Sequence, residues 1–391
     1  MILRQQLPVA SPIAARALMR AIGPALSRRG SQSTVARRVA LRFGASRAVL
    51  SDSGTSALIL ALRLSTGEGG IVAFPAYGCV DLAAAARFAG VRVRLYDVDP
   101  KTLNADLASL ESTIQRGVDA VVITHLYGYP ADVPAATALC AAHGVTVIED
   151  AAQAAGGVLH SRRLGSFGPL TVLSFGRGKG LTCGSGGALL TNESRWTDEL
   201  DRAAKQLAPS QAGWGQLGTT AIQWLVGRPS VYGLPAGIPA LRLGEMVYHP
   251  AHEPRALSDA AASLLEDAFR SAENELAVRR ANARALELAG EMCADMELVT
   301  PMAGANPGFL RFPVLDRAGR QPVPQLGILR GYPRTLPEQR ELAPCLCPGE
   351  PSMPGALELR RRLFTLPTHS LVRPADRKRM SAWLRNEVQH S

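Results

Sequence analysis

The feature that most constrains the fold is a strict alternation of short β-branched runs with alanine-rich helical runs between residues 70 and 192. The strand-like runs are GIVAFP, VRVRLYDVD, DAVVITHLYG, VTVIEDAA, LTVLSFG and GGALLTN, and helix-like runs such as VDLAAAARFAG and ADVPAATALCAAHG lie between the first of them. This alternation predicts βαβ units, and hence an α/β fold with a mostly parallel sheet covered by helices on both faces. Ligands of such sheets bind beyond the carboxyl ends of the strands. The ends to examine are therefore Asp97, His125, Asp150 and the loop after Phe175.

A second, smaller unit is expected after this region, because 391 residues exceed the usual size of one domain. A long helical pattern starts near residue 256 and can link two domains. We predict a basic N-terminal arm at 1–34, a large domain at 35–254, and a linking helix with a small α+β domain at 255–391. Within the large domain, residues 205–250 are rich in glycine, proline and aromatic residues and show no clean helical period.

The net charge of +10 is concentrated at the N-terminus. Residues 1–51 contain nine arginines and no acidic residue, whereas the rest of the chain is close to charge balance. Nucleic-acid binding is therefore not expected. The run SPIAARALMRAIGPALSRR could form a basic amphipathic helix on an anionic membrane, but its apolar face is mostly alanine, and Gly23-Pro24 shortens it. Packing of this helix on the large domain is the favoured alternative, and an organelle transit peptide is disfavoured because the run continues directly into motif-bearing sequence.

The six cysteines are scattered and lack the spacing of a zinc site, so no metal is expected. In a chain of this size they indicate reduced thiols and a cytoplasmic enzyme. No apolar run approaches the roughly 18 residues of a membrane span.

A lysine between two glycines marks a candidate site in SFGRGKG, residues 174–180. Lys179 is either a solvated surface side chain or a reactive amine that needs space for a cofactor. The run SDSGTSALIL places Gly54, Thr55 and Ser56 at a helix start, where backbone N–H groups bind an anion such as phosphate or where the side chains simply cap the helix.

An acidic residue ends the strand-like run VIED, and one crossover and one strand separate it from the lysine. Asp150 and Lys179 can thus point to one place, with Ser174 adding a hydroxyl; a helix cap is the alternative role for Asp150. A lysine, an acid and a phosphate cup are what pyridoxal 5'-phosphate requires.

Several segments in one order carry a family resemblance. They are SGTSAL, PAYGCVDLAAAARFAG, DVDPKTLNAD, THLYGYPAD, VIEDAAQAAG, LSFGRGKGLTCGSGGALLTN, GILRGYPRTL and FTLPTHSLVRPADRKRM. Over about residues 35–204 and 255–388 the chain resembles the DegT/StrS-type nucleotide-sugar aminotransferases, a pyridoxal-phosphate-dependent family of the aspartate aminotransferase fold type I.

The resemblance implies a role for each candidate residue. Lys179 would form the Schiff base with the cofactor and carry protons during transamination. Asp150 would hold the pyridinium N–H, and Gln153 would lie near the phenolic oxygen of the ring. His125 and Tyr127 would support the fold. The phosphate would be bound by Gly54, Thr55, Ser56 and Ser174.

The chain departs from the family pattern at three places. Cys79 stands where members carry an aromatic residue, so that Tyr77 is the candidate to stack on the ring. Residues 176–178, Gly-Arg-Gly, replace Tyr-Pro-Thr before the lysine, and Arg177 could supply charge to the phosphate. HEPRAL, residues 252–257, lacks the asparagine that reaches the phosphate site of the partner subunit.

The function implied is transfer of an amino group, with glutamate as donor, to a keto sugar linked to a nucleotide, in a homodimer that serves polysaccharide, glycolipid or secondary-metabolite synthesis. A pyridoxal-phosphate-dependent sugar dehydratase is one alternative, but in that branch a histidine replaces Lys179. A catalytically silent regulatory or scaffold relative is another, but such a protein would be expected to have lost Lys179 or Asp150.

Overall fold

The elements alternate along the chain as the sequence predicts. The computed structural model describes residues 4–27, 32–210, 213–238 and 246–387. The strands are β1 (Arg47–Ser51), β2 (Ile71–Pro75), β3 (Arg92–Tyr96), β4 (Ala120–Thr124), β5 (Thr146–Asp150), β6 (Val158–Leu159), β7 (Arg162–Arg163), β8 (Leu170–Ser174), β9 (Gly187–Thr191), β10 (Met296–Leu298), β11 (Ala305–Asn306), β12 (Phe312–Asp316), β13 (Leu329–Arg330) and β14 (Leu363–Leu366). The α-helices are α1 (Ala15–Arg20), α2 (Ile22–Ser27), α3 (Gln32–Phe43), α4 (Gly54–Thr66), α5 (Asp81–Ala89), α6 (Leu107–Gln115), α7 (Val133–Ala141), α8 (Ser194–Gln206), α9 (Gly213–Val226), α10 (Pro229–Ala236), α11 (Asp259–Gly290), α12 (Pro354–Arg362) and α13 (Pro374–Leu384).

A seven-stranded sheet in the order β1-β9-β8-β5-β4-β2-β3 forms the large core. Strand β9 runs antiparallel to its neighbours, and the other strands are parallel to one another. Alternate residues of one strand face opposite sides: Val72 and Phe74 join one apolar cluster and Ala73 another. Both faces are thus covered, which confirms the predicted α/β fold with a mostly parallel sheet.

A separate antiparallel sheet, β10-β12-β14-β13, follows the long helix α11. Helix α11 begins at the cap Ser258, whose side chain accepts a hydrogen bond from the Ala261 amide, and runs for 32 residues. Its last turns pack with α13 on the small sheet, where Phe364 meets Trp383 at a ring separation of 5.3 Å. A long helix and a smaller sheet thus follow the large sheet, while the division into domains at residues 34 and 254 stays a prediction.

The stretch 205–250 contains helices α9 and α10. Helix α9 has no charged residue, and Ile222 and Leu225 on its outer side are 65% and 60% exposed. A helix that is apolar on its exposed side lacks the periodic polar face by which amphipathic helices are recognised. This is why the sequence shows no helical period here.

The N-terminal arginine-rich run forms α1 and α2 and packs on the body of the protein. Ala17, Ala21 and Ala25 are buried, and the two helices contact α9 and α11. Arg20 forms an exposed ion pair of 2.7 Å with Asp267 on α11. This is the packing alternative that the sequence favoured over a membrane-bound helix. Among the described residues no helix is both long and apolar enough to cross a membrane.

The chain before α1 is held by hydrogen bonds to the C-terminal part. The Gln6 amide donates to the Gln325 carbonyl at 2.9 Å, and the Leu7 carbonyl accepts a bond of 3.0 Å from Nε2 of His369. His369 is fully buried. Burial lowers the pKa of His369 to about 4, with the charges of Arg279 and Arg311 acting in the same direction and the Leu7 bond and Glu275 opposing them.

We expect this buried histidine to make the protein acid-sensitive. Because the folded-state pKa lies below the usual value of about 6.5, the unfolded chain binds more protons between these two values. Above pH ~6.5 the ring is neutral in both states, and the free energy of unfolding is at its full value. As the pH falls through about 4, the free energy of unfolding decreases by on the order of 3 kcal/mol. Thermal midpoints of wild type and His369→Gln, measured from pH 7 to pH 4, should converge on acidification; a constant difference would contradict this.

Candidate active site

The loop between β8 and β9 presents Lys179 at the carboxyl end of β8. The Lys179 amide donates to the Gly176 carbonyl at 3.2 Å, and the Cys183 amide donates to the Phe175 carbonyl at 3.0 Å. Gly178 has a φ of +73°, a value that L-residues with side chains rarely adopt. Within the described ranges, the Lys179 ammonium forms no hydrogen bond or ion pair.

This loop closes one side of a cavity of about 310 Å³. The structure brings six of the predicted residues to its wall: Gly54, Thr55, Asp150, Gln153, Ser174 and Lys179. Cys79, Asp81, Arg177 and Ser185 lie on the same wall. Ser56 and Tyr77 are buried outside it.

The N-terminus of α4 opens onto this cavity. The Ser53 side chain caps the helix by accepting the Ser56 amide at 2.9 Å. A Cβ on Gly54 would lie 2.6 Å from Cβ of Ser174, so glycine is what lets the helix start approach the end of β8. The positive end of the helix dipole and the backbone N–H groups of a first turn are favourable for an anion. The Ser56 hydroxyl donates to Asp52 at 2.6 Å, and its predicted contact with phosphate stays a prediction.

Asp150 is the last residue of β5 and lies on the wall of the same cavity. One carboxylate oxygen accepts the Ala152 amide at 3.0 Å and the other the Thr124 hydroxyl at 3.3 Å. Burial raises the pKa of Asp150, and the Ala152 amide and the Lys179 ammonium oppose this rise. A cationic group in the cavity would further favour the carboxylate.

The neighbouring residue Glu149 serves the fold. Its carboxylate accepts hydrogen bonds from backbone N–H groups of the loop after β7, including that of Gly168 at 2.8 Å. It also accepts a hydrogen bond of 2.9 Å from Nε2 of His125. Burial raises the pKa of Glu149, but these hydrogen bonds hold it below its usual value. Because Nδ1 of His125 accepts the Ala131 amide, Nε2 carries the proton and the ring is neutral. This arrangement agrees with a structural role for His125.

Gln153 joins the cavity to a cluster of buried tyrosines. Its side-chain oxygen accepts the Tyr127 amide at 3.2 Å, and its nitrogen donates to the Tyr332 hydroxyl at 2.6 Å. The Tyr77 hydroxyl accepts the Tyr332 amide at 2.7 Å, and the two rings are 5.1 Å apart. Tyr77 thus packs on Tyr332, and Cys79 lies on the cavity wall. Stacking of Tyr77 on a cofactor stays a prediction. Sequence reasoning missed Tyr332, since nothing in GILRGYPRTL marks it as a neighbour of Gln153.

The segment that lacks the family asparagine lies beside the start of α4. The Asp52 amide donates to the Arg255 carbonyl at 2.9 Å, and Nε2 of His252 is 3.5 Å from the Asp52 carboxylate. HEPRAL therefore lies next to the start of α4 in its own chain, whereas the resemblance implies that this segment reaches the phosphate site of the partner subunit.

Comparison with solved structures defines the class of fold. The sugar aminotransferase CalS13 from Micromonospora echinospora superimposes with a TM-score of 0.74 over 99% of this chain and 100% of its own, at 23% identity. At that identity the likeness establishes the fold alone, which this chain shares with CalS13.

Sequence comparison identifies the family. Residues 24–215 match the model of the DegT/DnrJ/EryC1/StrS aminotransferase family. The L-glutamine:2-deoxy-scyllo-inosose aminotransferase of Streptoalloteichus tenebrarius is 32% identical over 68% of this chain and 57% of its own length. The UDP-N-acetyl-3-dehydro-alpha-D-glucosamine 3-aminotransferase of Acidithiobacillus ferrooxidans is 37% identical over 42% and 44%. Over residues 24–215 the chain matches the DegT/DnrJ/EryC1/StrS aminotransferase family that the sequence predicted, and it spans about half the length of these curated relatives.

Proposed function

We propose that the protein is a pyridoxal-phosphate-dependent aminotransferase that transfers an amino group to a keto sugar. One observation carries this proposal: the unpartnered Lys179 amine (within the part of the chain that the structure describes), the Asp150 carboxylate and the open N-terminus of α4 line one cavity. A lone lysine or a lone helix terminus would have many explanations, but the three together match the needs of one cofactor.

The residues present fit that cofactor. The close approach of Gly54 to Ser174 leaves a cradle at the helix start that a Cβ would fill. Its backbone N–H groups, Thr55 and the Ser174 hydroxyl would hold the phosphate, with Arg177 adding positive charge. Asp150 on the facing wall would hold the ring nitrogen, and Gln153 would bind beside the ring.

When bound, pyridoxal phosphate supplies an electron sink for the carbon that carries the amino group. The residues of the chain then position and move protons. The Lys179 amine, which lines the cavity, would take a proton from the carbon that bears the amino group and return it to the carbon on the other side of that nitrogen. Asp150 would keep a proton on the ring nitrogen. Both groups are partly buried, and the Lys179 ammonium favours the Asp150 carboxylate.

The relatives support a keto sugar as acceptor and an amino acid as donor. Both curated relatives named above carry aminotransferase names, one with a keto-inositol and one with a nucleotide-linked keto sugar. We infer a nucleotide-linked keto sugar, with glutamate as donor, in polysaccharide, glycolipid or secondary-metabolite synthesis. The six free thiols support the expected cytoplasmic location.

A panel assay tests the proposed function. The purified protein with added pyridoxal phosphate is incubated with glutamate or glutamine and with keto sugars, free or linked to a nucleotide, and amino-sugar formation is followed by mass spectrometry. We expect transfer to at least one nucleotide-linked keto sugar. Loss of water from the sugar without amine transfer would instead favour the dehydratase alternative, although Lys179 argues against it.

We further infer that the protein is a homodimer, which rests on the family resemblance. The segment around His252 and Arg255, beside the start of α4, is where the family brings a residue into the partner's phosphate site. Sedimentation of the active protein as a stable monomer would exclude this inference.

A further inference from the structure

Residues 5–11 lie between the C-terminal sheet and the loop that carries Lys179. On one side the backbone of Gln6 and Leu7 is bonded to Gln325 and His369. On the other side Val9 packs on the lysine loop, where a Cβ on Gly178 would come within 2.9 Å of its side chain. The segment therefore contacts both units of the protein.

The Ser11 hydroxyl donates a hydrogen bond to the carbonyl oxygen of Lys179. Lys179 sits between Gly178 and Gly180, so its own backbone has neighbours that restrict it little. Its amide is bonded to Gly176 within the same loop. Ser11 thus supplies the contact that fixes the Lys179 peptide from outside the loop.

Arg279 on α11 orients Ser11. This arginine is only 1% exposed, and its Nη2 donates to the Ser11 hydroxyl oxygen at 3.0 Å and to the Ala10 carbonyl at 2.9 Å. Glu275 balances its charge at 3.4 Å. A serine hydroxyl has one proton to donate. Because Arg279 occupies a lone pair of the oxygen, that proton is directed to Lys179.

We propose that Ser11, oriented by Arg279, is a positioning residue for Lys179, and that residues 5–11 link the position of the C-terminal sheet to the lysine loop. If the small sheet moved, the backbone of Gln6 and Leu7 would move with it. The hydrogen bond from Ser11 would then change the position of Lys179. The proposal rests on the proposed function only in taking Lys179 as the reactive amine.

Hydrogen exchange of the full-length protein tests the placement without any cofactor. Wild type, Ser11→Ala, Ser11→Thr and the control Ser112→Ala are compared; Ser112 is exposed on α6, far along the chain from the loop. Amides of peptides covering 175–184 should exchange roughly threefold faster or more in Ser11→Ala, as expected from loss of one hydrogen bond. Ser11→Thr should restore wild-type exchange, and Ser112→Ala should not alter it. If Ser11→Ala does not fold, the near-isosteric Ser11→Cys, a much weaker donor, takes its place.

A second measurement uses added pyridoxal phosphate. The pH midpoint of its visible absorbance should shift in Ser11→Ala and return to the wild-type value in Ser11→Thr, which a merely stabilising contact would not cause. Unchanged exchange and an unchanged midpoint in Ser11→Ala would overturn the proposal. If the cofactor attaches to another lysine, the proposed function fails, whereas the exchange result still decides whether Ser11 positions the loop.

Discussion

Lys179→Ala should abolish amine transfer, lowering turnover by at least about 10³-fold, since a positioned general acid–base group contributes roughly 10²–10⁴-fold and the variant also lacks the amine that would bind the cofactor. Borohydride reduction of wild type with pyridoxal phosphate should attach the cofactor to the single peptide that contains Lys179. The variant should show no such label, yet should still bind the cofactor through the α4 terminus and Asp150. Steady-state kinetics and peptide mass spectrometry measure the two effects.

The control for this experiment is Lys101→Ala. The Lys101 side chain is exposed and lies outside the cavity. This variant should keep wild-type turnover and labelling. A label on Lys101 or Lys205 in the wild type would overturn the assignment of Lys179. Removal of the Lys179 ammonium also removes a charge that lowers the pKa of Asp150, so the carboxyl of the variant should titrate at a higher pH.

The sequence predicts the fold well where each element has its own local signal. Strands of the large sheet are buried on both faces and read as continuous β-branched runs, and the helices between them end at glycines such as Gly90. The site at the carboxyl ends of β5 and β8 follows from topology, since Asp150 and Ser174 end adjacent parallel strands. Topology therefore located Asp150 and the lysine loop, whereas Asp97 and His125, which follow β3 and β4, lie outside the cavity wall.

Contacts between distant segments carried no such signal. Tyr332 reaches Gln153, and Ser11 reaches Lys179, over separations of more than 160 residues. The apolar outer side of α9 also breaks the amphipathic rule on which helix prediction depends. Where the sequence was hardest to interpret, the structure is determined by packing between units and not by periodicity within one element.

Asp150→Asn should lower turnover by roughly 10²-fold or more while leaving the fold intact. The amide keeps the shape of the carboxylate and can still accept the Ala152 N–H, but it cannot stabilise positive charge on a ring nitrogen. Because burial raises the pKa of Asp150, the charge itself is unfavourable where no cationic ring faces it, and its removal should not lower the thermal midpoint measured without cofactor. Asp150→Asn is thus expected to lose activity without losing stability, which is the usual trade-off at functional residues.

Asp99→Asn is the matched control for this change. Asp99 also accepts the amide two residues further along the chain, at 3.0 Å, and a threonine hydroxyl, at 2.7 Å, but it lies outside the cavity. Its replacement makes the same change at the same kind of turn contact without touching the site, so it should leave turnover unchanged. If Asp150→Asn behaved like Asp99→Asn, with near wild-type kcat, Asp150 would be a turn cap, and the cavity would lack the acid that pyridoxal-phosphate chemistry requires.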